Sequence, residues 1–199
     1  MASVLFIDGE NFKGKIRGVF KSVGKKTPIW HEYDFRGLLD QVLGGLQMDS
    51  RTFYFARLKE HESSREKSKK LIEEQRLMKT HLESQGFEVI LTGRVRGQME
   101  EISGGKQALV FKEKGVDVKI AVDMVSYACD HRASEIIIGS SDSDLQPAIQ
   151  EVKERKVGCV YLGFELQPNK GLSYTTGRAI LIRNSEVLEF EGTQQKLLS

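Results

Sequence analysis

The chain of 199 residues is 29% charged and 39% hydrophobic, with a formal charge of +2 at pH 7. These values fit one soluble globular domain that builds its own core without covalent staples. They leave no candidate for a membrane-spanning helix, since no run of about 18 apolar residues occurs, and no disulfide framework, since Cys129 and Cys159 are the only cysteines.

Both cysteines sit in apolar stretches and are expected to be reduced core residues of a cytoplasmic protein. Met1 leads within two residues into "VLFI" with no basic start and no cleavage site, which argues against a secretory signal.

Residues 3–7, "SVLFI", are apolar without alternation, as in a strand covered on both faces. Between Gly9 and Trp30, the cations Lys13, Lys15, Arg17, Lys21, Lys25 and Lys26 face a single acid, Glu10. The stretch reads as a basic loop, suited to a phosphate backbone or equally to a solvated surface. From Asp34, a candidate N-cap, Phe35, Leu38, Leu39, Val42, Leu43 and Leu46 recur at helical spacing.

"RTFYFAR" (51–57) is expected to be a second strand, 65–85 a second amphipathic helix ended by Gly86, and "FEVIL" (87–91) a third strand. Residues 92–114 hold two short β-like runs around "SGG" and predict a hairpin excursion. A helix from Asp117 to about Asp130 follows, with Val118, Ala121, Val122, Val125 and Cys129 as its buried stripe. "EIIIG" (135–139) is the fourth strand, Leu145 to about Arg155 a helix, and "VGCVYL" (157–162) the fifth strand. Beyond Gly163, residues 180–182 and 187–190 are candidates for small strands.

This alternation predicts an α/β protein with a central, mainly parallel sheet and helices on both faces. Right-handed crossovers then bring every strand's C-terminal end to one edge, where such sheets bind ligands. Asp8 follows the first strand, Asp142 and Asp144 follow the fourth, and Asp117 opens the helix leading into the fourth. Each acid has a plain alternative as a turn or helix cap. Together, uncompensated carboxylates at one edge repel one another unless a divalent cation neutralises them. Oxygen ligands suit Mg²⁺ or Mn²⁺.

Asp123 falls about 240° round the helical wheel from Asp117, on the polar side, and is expected to face solvent or to support the site rather than bind metal. His31, His61, His81 and His131 show no ligand spacing and read as surface or packing residues. Nucleophile-elbow, Walker and dinucleotide fingerprints are missing from the sequence.

"FIDGENF" (6–12), "KGVDVKIAVDM" (114–124) and "IIIGSSDSDLQPAIQEVKERKVGCVYLG" (136–163) resemble, in order and spacing, the NYN-domain family of the PIN-like nuclease superfamily, many of whose members are bacterial. The resemblance implies a PIN-like α/β/α sandwich of about five strands, with a nuclease domain over 1–165, the hairpin insertion near 92–114, and an extension over 166–199 packed on the same domain. It implies metal-dependent ribonuclease chemistry. Asp8, Asp117, Asp142 and Asp144 match the family acids, the first three as metal ligands and Asp144 as a further ligand or water-orienting base. Asn11, Ser140 and Asp123 match residues that support those ligands.

Ser141 stands where the family has a small glycine, and the second strand ends in "FAR" without an acid. The expected substrate is RNA, single-stranded, with Lys13, Lys15, Arg17, Arg94 and Arg96 along the phosphate path and Phe12 or Trp30 able to stack a base. A non-catalytic RNA- or nucleotide-binding module and a small-molecule phosphohydrolase are the alternatives. No membrane role is expected, and a homo-oligomer or protein partner is left open.

Overall fold

A continuous apolar strand must be covered twice, and the first strand is. In the computed structural model, which describes residues 2–60, 65–102 and 106–192, with backbone only for 96–102 and 106–113, Leu5 and Ile7 enter one apolar cluster and Val4 and Phe6 another. Each face of the sheet therefore carries its own core.

The chain runs β1 (Ser3–Asp8), α1 (Gly9–Ser22), α2 (Phe35–Val42), β2 (Ser50–Ala56), α3 (Arg65–Ser84) and β3 (Glu88–Thr92). The hairpin β4 (Arg94–Ile102) and β5 (Lys106–Lys114) follows, then α4 (Val116–Cys129), β6 (Glu135–Gly139), a 3-10 turn at Ser143–Leu145 and α5 (Gln146–Glu154). The chain continues through β7 (Gly158–Phe164), α6 (Lys170–Thr176), β8 (Ala179–Ile182) and α7 (Asn184–Glu189). The main sheet has six strands in the order β3-β2-β1-β6-β7-β8. All its pairings are parallel.

Helices α1, α2, α3 and α7 bury Phe12, Leu38, Met78 and Val187 on one face; α4, α5 and α6 bury Ile120, Ile149 and Leu172 on the other. The result is an α/β/α sandwich. No described helix is long and apolar enough to cross a membrane.

Several expectations change. The sheet gains a sixth strand from the 180–182 run, whereas 187–190 falls largely in α7. The basic stretch after Gly9 is mostly helix, not loop: Phe12, Ile16, Val19 and Phe20 form a buried stripe, Asp8 caps the start, and Gly14 and Gly18 do not break it. Helical spacing is present there, interleaved with the cations of the exposed face.

The buried stripe of α4 is Val116, Ile120, Met124 and Ala128, while Val118 and Val122 are 60% and 52% exposed. This helix is apolar on two sides, so periodicity alone does not choose which side meets the sheet. Cys159 is buried as expected, but Cys129 is exposed, its Sγ accepting from Arg155 Nε at 2.9 Å.

The orientation of α4 has a direct test. Ile120→Ala is expected to lower the unfolding free energy by about 2–5 kcal/mol, and Val122→Ala by no more than about 0.5 kcal/mol, in urea denaturation of each variant.

Candidate active site

Strand order sets the site. From β1 the chain first builds outward through β2 and β3, then returns to place β6 on the other side of β1. The order therefore reverses between β1 and β6, whose ends lie side by side with Ile7 opposite Gly139. Helices leave these two strands toward opposite faces, which opens a crevice at their C-terminal ends.

Asp8 is the last residue of β1 and the N-cap of α1, its carboxylate accepting from the Asn11 amide at 3.0 Å. The next residue has to be glycine: a β-carbon on Gly9 would collide with the Phe55 ring of β2. Asp142 caps the 3-10 turn after β6 and accepts from the Asp144 amide at 2.9 Å. Of the two acids that could cap this turn, Asp142 sits in extended conformation ahead of it and does so. Asp117 is the second residue of α4, and the N-cap position belongs instead to Gly115, left-handed at φ +92°.

One carboxylate oxygen from each of Asp117, Asp142 and Asp144 lies within 4.8 Å of the others. Asp117 and Asp142 are half-buried and Asp144 is exposed. Asp8 is outside this tightest group yet feels it. Burial chiefly, then the charges of Asp142, Glu10 and Asp117, push its carboxyl up to about 6, against the opposing pull of the Asn11 amide. None of the ion pairs among the described residues involves these four aspartates.

The loop bearing Asp142 is tied from both sides. Asn11 Oδ1 accepts from the Ser141 amide at 3.0 Å, and the buried Ser140 Oγ accepts from the Asp142 amide at 3.2 Å. From the other side, Asn169 Nδ2 donates to the Ser141 carbonyl at 2.9 Å and to Ser143 Oγ at 3.1 Å. Tyr161 in turn accepts from the Asn169 amide at 3.1 Å. Asn169 and Tyr161 were missed in the sequence. The only signal was "PN" before α6, where Asn169 is the N-cap, and that says nothing about a contact with residue 141.

Asp123 is not solvent-facing: its side chain accepts from Tyr54 Oη at 3.0 Å and from Lys119 Nζ at 2.6 Å. That follows from the true orientation of α4. The predicted cations are dispersed. Lys13 pairs with Glu10 at 2.9 Å and lies 5.2 Å from the Trp30 ring centre. Lys15 Nζ donates to the Gln167 carbonyl at 3.0 Å. Arg17 and Arg94 are exposed, and the side chain of Arg96 lies outside the described residues. Phe12 is fully packed in the core, whereas Trp30 is only partly buried.

The donor set at Asp117, Asp142 and Asp144 is all oxygen, and its spread is close to twice the metal–oxygen distances of hard cations, about 2.0–2.6 Å. The residues fit a divalent ion.

An acidic crevice at the switch point of a parallel α/β sheet defines a class of domain that works on ligands at that edge. The family model of the NYN domain matches residues 3–179. The chain belongs to the NYN-domain family, within the PIN-like nuclease superfamily, and that membership points to a nuclease-type, RNA-related function. Comparison with curated proteins and with solved structures gave no match.

The charge on Asp8 predicts a pH-dependent stability. The folded state holds this proton to higher pH than the unfolded chain, whose carboxyl has the ordinary value of 3.8. Metal-free protein therefore loses stability as pH rises through about 6, by on the order of 2–3 kcal/mol. Asp8→Asn cannot ionise and keeps the cap. Its melting temperature in chelator is expected to match the parent near pH 4 and exceed it near pH 8. A variant less stable at both would show that the Asp8 charge is not a liability.

Proposed function

We propose that this protein is a metal-dependent ribonuclease that hydrolyses phosphodiester bonds of single-stranded RNA at the acidic crevice. The observation that carries the reading is the group of Asp117, Asp142 and Asp144, within 4.8 Å of one another and without a cationic partner among the described residues. These three side chains would hold Mg²⁺ or Mn²⁺, with Asp8 adjoining them. Bound there, a divalent ion supplies a water of lowered pKa and charge stabilisation at the phosphoryl oxygens.

The chain's own residues do the positioning. Asn11, Ser140 and Asn169 hold the loop of residues 140–144 from both sides, so that Asp142 and Asp144 stay aimed into the crevice. Asp8 ends the neighbouring strand and closes the crevice from the β1 side. Lys15 and Arg17 on α1 and Arg94 at the hairpin base would draw the phosphate backbone toward that edge. Asp123 supports from a distance, by anchoring α4 to Tyr54 of β2.

Cleavage of a mixed-sequence RNA is expected with Mg²⁺ or Mn²⁺ and not in chelator. Asp117→Asn and Asp142→Asn should each lower kcat by about 100-fold or more, with folding confirmed by circular dichroism. Full activity in Asp142→Asn would overturn the reading. RNA binding without cleavage under any divalent ion would favour the non-catalytic module.

Asn169→Ala releases one side of the acid-bearing loop. It is expected to reduce activity or metal affinity by about 10–100-fold, and a Mn²⁺ titration of activity separates the two.

A further inference from the structure

Beside the acidic crevice lies a cavity of about 660 Å³ that no step above uses. It is floored by Phe55, Leu71, Met78 and Val89, and its rim carries Trp30 and the Lys13–Glu10 pair. Its volume falls within the range of small-molecule sites, about 300–1,000 Å³.

We propose that this cavity receives one unpaired nucleobase of the RNA whose phosphodiester is cut at the neighbouring acids. The inference rests on the ribonuclease reading and adds to it a base-binding subsite and a reason for single-strand selectivity.

Three observations support a base rather than a phosphate. The floor is apolar and aromatic, a surface for a π-face and a poor one for an anion. Of the lysines that line it, Lys13 is neutralised by Glu10 at 2.9 Å and packs over the Trp30 and Phe55 rings at 5.2 and 5.8 Å, and Lys79 pairs with Glu83 at 3.6 Å. Arg17 stands 5.9 Å from the Trp30 ring centre, giving the rim a planar guanidinium of the kind that stacks on bases.

Two further observations place the cavity next to the chemistry. Gly9, adjoining Asp8, is packed so closely on Phe55 that no β-carbon fits. Glu10 lines the cavity and also acts on the charge of Asp8. The cavity wall therefore begins at the residues that directly follow Asp8. A base held in a duplex has no face free to enter.

Trp30 is the only tryptophan in the chain and reports directly on occupancy. Asp142→Asn with Mn²⁺ would be titrated with a short single-stranded RNA oligomer, read by tryptophan fluorescence and by anisotropy of a terminal dye. Parent protein in chelator serves as the second form should that variant fold poorly. Oligomers with one abasic nucleotide, placed at each position in turn, complete the set.

The expected result is a saturable change in Trp30 fluorescence, absent with duplex RNA. Affinity should fall about 10-fold when the abasic site occupies one position next to the cleaved bond. Trp30→Leu should remove that position's dependence. Binding seen by anisotropy with fluorescence unmoved, or a flat abasic profile, would overturn the proposal. Position-dependent binding by a parent chain that cleaves no RNA would leave the subsite standing and sink the ribonuclease reading. Cleavage with a flat profile would do the reverse.

Discussion

Parallel pairing of β1 with β6 is the contact on which the rest of the molecule depends. It joins strands far apart in sequence, with Val4 opposite Ile136 and Ile7 opposite Gly139, and reverses the strand order at the centre of the sheet. Such a pair is stable only when both faces are covered, which is why Leu5 and Ile7 feed one cluster and Val4 and Phe6 the other. The same pairing forces Asp8 and the Ser140–Asp144 loop to share one edge. Fold stability and acid clustering thus come from one arrangement, and they pull in opposite directions. Burial of Asp8 among like charges works against folding, while the hydrogen bonds to Asn11 and from Asn169 hold the loop against that repulsion.

Much of this was legible in the residues. Unbroken apolar runs at 3–7 and 135–139 marked the central strands, and acids directly after them marked the edge. What failed did so for identifiable reasons. In α1, four buried apolar residues share fourteen positions with several cations and three glycines, so the charge pattern concealed the periodicity. In α4, Val118, Val122 and Val125 compete with Ile120, Met124 and Ala128 as a core stripe, and only the neighbouring sheet decides between them. The same orientation turns Asp123 toward Tyr54 rather than solvent. Asn169 was illegible in principle, because its partner at Ser141 is brought near only by the β6–β7 pairing.

Asn11 and Asn169 are alike in a further respect. Each belongs to the start of a helix that lies on a different face of the sheet, α1 on one and α6 on the other. Each spends a neutral amide on the backbone of the same serine, Ser141. Both contacts are made to the backbone of Ser141 and leave its side chain out. Its hydroxyl is left near Tyr161 at 3.4 Å. The local geometry of the acid-bearing loop is therefore set by both helical layers at once.

The hairpin meets the rest of the fold through two glycines. Gly93 and Gly115 both adopt left-handed backbone, and a β-carbon on Gly93 would strike the Lys114 carbonyl. The ladder between them begins with Arg94 opposite Lys114, so entry and exit of the arm are neighbours, and its two strands pair only with each other. Residues added in pairs to such a ladder lengthen the arm without shifting β3 or α4. The arm can therefore diverge in length and character between related chains while the acidic edge keeps its form, making this junction the natural seam for exchange between them.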